Sequence, residues 1–152
     1  MNNQLLFSEF LGIMLGDGNI YSNKENGNHR IVITGHSEDD YEYLVNHVRP
    51  MIKELFCFET SLWKHKNKNA IALAKYSKSF VNYLISYGLV AGSKSMKIPP
   101  YVLINKIRLA EFLKGIGDTD FSVEFTKKKH YYPLITAKNF LIKNLLITSK
   151  NI

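Results

Sequence analysis

Two stretches decide the fold: Phe10-Leu11-Gly12-Ile13-Met14-Leu15-Gly16-Asp17-Gly18, and Leu113-Lys114-Gly115-Ile116-Gly117-Asp118-Thr119-Asp120-Phe121. In each, a helical apolar run ends in a small residue followed by aspartate. Gly12 and Gly16 are four apart, as are Gly115 and Thr119, so each pair lies on one helical face. Small residues on that face let two helix backbones approach closely. Helices packed along these faces deliver Asp17 and Asp120 at the same end of the pair. Two carboxylates held that close repel unless a cation lies between them. Hard oxygen ligands of this kind suit Mg²⁺, or a similar divalent cation such as Mn²⁺. The chemistry expected of such a centre is phosphodiester hydrolysis, with polarised phosphate, oriented water and stabilised leaving oxygen. The backbone carbonyls of Gly16 and Thr119 are candidate additional ligands.

Outward from these segments the chain reads as an internal repeat. A helix is expected over 4–17, on the spacing of Leu5, Leu6, Phe10, Ile13 and Met14. A polar turn follows at 22–28, then a strand at 29–34 with Ile31 and Ile33 on one face and Arg30, Val32 and Thr34 on the other. The acidic run Ser37-Glu38-Asp39-Asp40 starts a helix that Pro50 kinks or restarts. Residues 59–66 and 70–76 read as a hairpin, Ser77 opens a helix stopped by Gly88, and residues 90–103 form a linker. A helix over 104–119, a hairpin at 121–127 and 131–136, and a short helix at 138–149 complete the chain. The division expected is 1–89 as a first half, 90–103 as linker and 104–152 as a second half, which has no counterpart of residues 56–88. Pro133 within a strand marks an edge.

The two nonapeptides resemble the LAGLIDADG motif of homing endonucleases. The first matches through the final Asp17-Gly18; the second matches through Asp120 and then departs, with Phe121 where the family usually has glycine. Residues 31–38 and 86–100 are also similar to the family's first-domain strand and interdomain linker, so the resemblance covers roughly 7–140. It implies an α+β fold of paired αββαββα units, the second incomplete, with the motif helices at the central interface and each sheet saddled over a DNA major groove. It implies Mg²⁺-dependent cleavage of both strands of double-stranded DNA, with Asp17 and Asp120 as catalytic and metal-binding residues. Asp118 occupies the motif's earlier acidic position and reads as a helix-end group. Family members often carry a polar or basic residue near the metal on the strand leading to the next helix. His36 and Lys138 stand there and are candidates to position water or contact phosphate.

Twenty Lys and Arg stand against thirteen Asp and Glu in 152 residues, a net charge of +7 that favours a polyanionic partner. Tyr21, Asn23, Lys24, Arg30, Thr34, Lys64, Lys66, Lys75, Lys127, Lys128 and Lys129 are the candidate DNA contacts, because a two-stranded ribbon fits the major groove. Trp63 reads as a packing residue rather than a base-stacking platform. The single cysteine, Cys57, excludes an internal disulfide and reads as a small buried hydrophobe. The histidines form no paired metal motif. Without a secretory signal or a membrane-length apolar run, the expected location is intracellular, cytoplasmic or organellar.

The leading expectation is a monomeric endonuclease serving intron or intein mobility. Its alternatives are a non-cutting relative that holds DNA or structured intron RNA, and a homodimer in which a neighbour's intact half replaces the incomplete one. A basic metabolic enzyme finds no support: there is no Walker loop, dinucleotide fingerprint or nucleophile triad.

Overall fold

The first helix, α1 (Asn3–Gly16), is apolar on every side apart from Ser8 and Glu9 and is buried along its whole length from Leu6 to Gly16. Phe10, Leu11 and Ile13 have no exposed surface. A helix with no polar face belongs at the centre of a fold, where neighbours cover every side. The computed structural model describes residues 3–65, 68–92, 97–128 and 130–137, with side chains up to Thr119.

On one side lies a four-stranded antiparallel sheet, ordered β1-β2-β4-β3. Its strands are β1 (Gly18–Asn23), β2 (Asn28–His36), β3 (Ser61–Lys64) and β4 (Ala70–Tyr76). The register pairs Ile20 with Ile31 and Ile33 with Leu73, so these side chains share one face, and they belong to the core cluster with α1. The core is completed by α2 (Tyr41–Tyr43), a π-helical stretch (Leu44–Val48), α3 (Arg49–Phe56) and α4 (Lys78–Ser86). A 3₁₀ turn (Pro100–Ile104) leads into α5 (Lys106–Asp120), followed by the hairpin β5 (Phe121–Lys128) and β6 (His130–Ala137). The order α5–β5–β6 repeats α1–β1–β2, as the internal alignment anticipates.

Local chemistry explains several boundaries. Ser77 caps α4, its hydroxyl accepting from the Phe80 N–H at 3.2 Å. At the other end Gly88 adopts φ +100°, its N–H reaching Ile85 O, while Leu89 N–H reaches Leu84 O and its side chain tucks into the core. That is a Schellman close, which needs a residue without Cβ. The helix expected from Ser37 begins instead at Tyr41. Residues 37–40 form a turn held by Asp40, whose carboxylate accepts the His36 N–H at 2.6 Å. Pro50 neither kinks nor restarts the chain sharply: the preceding turn widens to π, and backbone angles stay helical through Val48 and Arg49. Widening the turn accommodates a residue that lacks an N–H and crowds the carbonyl four residues back.

Cys57 is not buried. It is exposed at the end of α3 with φ 55°, a left-handed conformation that closes the helix. Strand β1 has no counterpart in the expected elements, and its last two residues fall in the expected polar turn, because only Ile20 among its side chains is a large core hydrophobe. Pro133 pairs with Phe125 in the two-stranded β5–β6 ribbon. The expected helix over 138–149 lies outside the described residues. Among the described residues no helix is long and apolar enough to cross a membrane.

Candidate nuclease site and nucleic-acid interface

The seam between α1 and α5 is built backbone on backbone. A Cβ on Gly12 would collide with Phe112 O, and one on Gly115 would collide with Glu9 O. At the far end of the crossing, a Cβ on Gly16 would overlap the Thr119 side chain. Thr119 Oγ1 lies 3.2 Å from Gly115 O and 3.1 Å from Ile116 O, so its hydroxyl is turned back on its own helix. Gly16 and Thr119 therefore meet, and each is followed directly by one of the two aspartates, Asp17 and Asp120. The Asp17 main chain is fixed from both sides: its N–H donates to Ile13 O at 3.0 Å, and its carbonyl accepts from Thr34 N–H at 3.3 Å. Its side chain is half-buried. Asp120 closes α5, and its side chain lies outside the described residues.

Beside this end sits a charged cluster that sequence reasoning missed. Glu9 is fully buried on α1, with Oε1 2.7 Å from His47 Nε2 and 3.0 Å from Lys114 Nζ. It thus ties the π-helical stretch to α1 and α1 to α5. An acidic residue three positions before Gly12, in an otherwise apolar helix, was the available signal. The Glu9 hydrogen bond, first among its causes, raises the Lys114 ammonium above its ordinary range. An open cleft of about 430 Å³ is lined by Asp40, Tyr43, His47, Lys114 and Asp118. Burial first, then the negative charges of Asp118, Glu9 and Asp17, push the Tyr43 phenol well above its ordinary range, so it stays protonated. Three carboxylates thus bear on one phenol beside the end of the seam.

No trio of His, Cys, Asp or Glu able to hold a metal occurs among the described residues. A centre shared by two helices draws on fewer protein groups than that. The donors present fit a hard divalent cation: the half-buried Asp17 carboxylate, carbonyl oxygens at the ends of α1 and α5, and a surrounding excess of negative charge.

The remaining candidates divide by sheet face. Tyr21 and Arg30 pair across β1–β2, with the guanidinium 5.2 Å from the Tyr21 ring centroid. Asn23, Thr34 and His36 share that outer face by register. Trp63 joins them, pairing with Ala72 opposite Thr34 and stacking at 18° on Tyr76, so it is a packing residue on an open face. His36 Nδ1 is 3.0 Å from Asp39 Oδ2, which ties its ring to the following turn. Lys75 does not share that outer face, contrary to its expected place among the contacts: its register puts it on the helix side with Ile31, where Nζ lies 4.3 Å from the Phe58 ring centroid and 3.4 Å from Glu59 O. Lys64 pairs with Ile71 and shares that helix-side register, though it is exposed on the edge strand. Lys24 is exposed in the β1–β2 turn. Lys127 and Lys128 end β5, with side chains outside the described residues, as are Lys66, Lys129 and Lys138 entirely.

No family model matches the sequence, and no curated protein does. Solved structures do. A mesophilic variant of the homing endonuclease I-DmoI superposes with a TM-score of 0.60 at 22% identity, over 80% of this chain and 65% of that one. This chain thus spans just under two thirds of that relative's length. A variant of I-DmoI in complex with its target DNA in the presence of Mg gives 0.62 at 18% identity, over 99% of this chain and 78% of the other. A variant of I-SmaMI gives 0.54 at 11% identity, over 100% and 73%.

Proposed function

From the premise that the chain has the LAGLIDADG homing-endonuclease fold, we propose that it is a divalent-cation-dependent endonuclease of the homing type acting on double-stranded DNA. The observation that carries this reading is the glycine crossing of α1 and α5, which sets Gly16 against Thr119 and so starts the two aspartates from adjoining positions. Asp17 and Asp120 each contribute a carboxylate, with the carbonyls of Gly16 and Thr119 as supplementary oxygens. A bound Mg²⁺ or Mn²⁺ supplies the Lewis acidity that polarises the scissile phosphate and acidifies a water.

The chain's own residues do the rest. The seam fixes the backbones from which the two carboxylates start, which limits the reorganisation needed at the moment of reaction. The outer face of the four-stranded sheet offers Tyr21, Asn23, Arg30 and Thr34 to base edges and phosphates. His36 and, by its place in the sequence, Lys138 are the residues assigned to orient water or phosphate. The dimeric and RNA-binding alternatives have no observation of their own in favour of them.

The test is cleavage of a randomised plasmid library with Mg²⁺, run beside binding measured across a salt series. The native chain is expected to cut, and Asp17→Asn is expected to bind with unchanged affinity while losing at least about a hundredfold in rate. Undiminished cleavage by Asp17→Asn overturns the mechanism. Binding by the native chain without any cutting selects a non-cleaving DNA-binding protein.

A further inference from the structure

We propose that the cleft between the β1–β2 turn and the start of α4 is a phosphate-binding site, separate from the seam and on the helix side of the sheet. The cleft, about 440 Å³, is lined by Ser22, Lys24, Gly27, His29, Lys78 and Asn82. Three of the six are basic and none is acidic. Neither Lys24 nor Lys78 makes an ion pair among the described residues. Two ammonium groups gathered at one opening with no internal counterion favour an external anion.

His29 gives the site depth. It is only 8% exposed, yet its ring borders the cleft. Ser22 Oγ lies 2.9 Å from Nδ1, which holds the ring and leaves Nε2 without a hydrogen bond among the described residues. A nearly buried imidazole with one nitrogen engaged and the other open to a polar cleft is poised to donate to an oxyanion.

The start of α4 adds to this independently. Ser77 spends its hydroxyl on the Phe80 N–H and its own N–H on His29 O. The N–H groups of Lys78 and Ser79 then have no helical acceptor and sit at the positive end of the helix dipole. Cationic side chains, a held imidazole and free amides at one place match the tetrahedral, multiply accepting character of a phosphate.

The register fixes which side of the sheet this is. Ser22 and His29 pair with each other, two residues along from the buried pair Ile20 and Ile31. They therefore face the helices, opposite Tyr21 and Arg30, and a groove-bound duplex on the outer face does not fill the site. The phosphate comes either from a nucleic-acid backbone wrapping past the strand ends or from a free phosphate or nucleotide. The proposal stands whether or not the chain cuts DNA.

The experiment uses the full chain with ¹⁵N-labelled histidine and inorganic phosphate as probe, against chloride at matched ionic strength. The expected result is a saturable movement of the His29 ring signals with phosphate only, lost in the Lys24→Met/Lys78→Met double variant, whose other histidine signals stay in place. No saturable movement, or the same movement in the double variant, overturns the site. A second arm measures duplex binding against salt. Each lysine removed flattens the log–log slope by about 0.9 if a backbone phosphate occupies the cleft. An unchanged slope with the inorganic-phosphate response intact assigns the cleft to a free phosphate or nucleotide. Absence of duplex binding by the native chain bears on the nuclease reading alone, because the first arm is read without DNA.

Discussion

At single residues, the seam glycines differ in what they face, and that difference is measurable. A side chain at Gly115 meets the Glu9 carbonyl, a backbone group that cannot move without shifting α1. A side chain at Gly16 meets only the Thr119 side chain: its Oγ1 can rotate away, and its Cβ, a milder clash than the carbonyl at Gly115, is relieved by a small backbone shift. Gly115→Val is therefore expected to lose about 3 kcal/mol or more and Gly16→Ala about 1 kcal/mol, read from urea midpoints at constant m; the reverse order would contradict the crossing described. Cys57 carries a left-handed backbone that an L side chain tolerates poorly, so Cys57→Gly is expected to raise stability by about 1 kcal/mol in the same urea titration. The glycines were legible in the sequence because a four-residue spacing of small side chains has one simple geometric meaning. Glu9 was not, because a buried charge declares itself only through partners distant along the chain, here His47 and Lys114. The orientation of Cys57 was hidden for a related reason: its apolar neighbours suggest burial, while its position just past a helix end turns it outward.

Among elements, caps and ties set the stability that packing leaves undecided. Ser77→Ala removes the side-chain acceptor of the Phe80 N–H at the start of α4 and is expected to cost about 1 kcal/mol. Lys114 links α5 to α1 with a proton affinity raised chiefly by Glu9, above its ordinary value of 10.5. A raised folded-state affinity means the contribution is complete below that ordinary value and disappears as pH climbs through the folded one. Stability is thus expected to fall off in the alkaline range above about pH 10.5, and Lys114→Met should flatten that part of the profile when unfolding is followed against pH. Helices α3 and α4 followed from a 3.6-residue apolar pattern, and the β3–β4 hairpin from the turn between its strands, since neither strand alternates in burial. Two features did not follow. Strand β1 has few core side chains to mark its alternation and is held by pairing with β2, a long-range cause. The π-helical widening before Pro50 is a packing response that propensities do not encode.

Over the whole molecule, the face to which a lysine belongs was the least legible quantity. Lys75 alternates correctly with its neighbours, yet only the pairing with β2 tells that its side lies with Ile31 and Phe58 rather than with Arg30. Lys75→Met is accordingly expected to leave the salt slope of duplex binding unchanged, whereas Arg30→Met should weaken binding and flatten the slope by about 0.9 if Arg30 meets phosphate. The central helix carries a further consequence. Its partner α5 begins about ninety residues after α1 ends. At roughly 5–20 residues per second, a ribosome releases the first helix some 5 to 20 seconds before the second exists. For that interval a segment destined for complete enclosure has no lid on its glycine face, so nascent chains depend on slow growth, low local concentration or a chaperone to keep from sticking to one another.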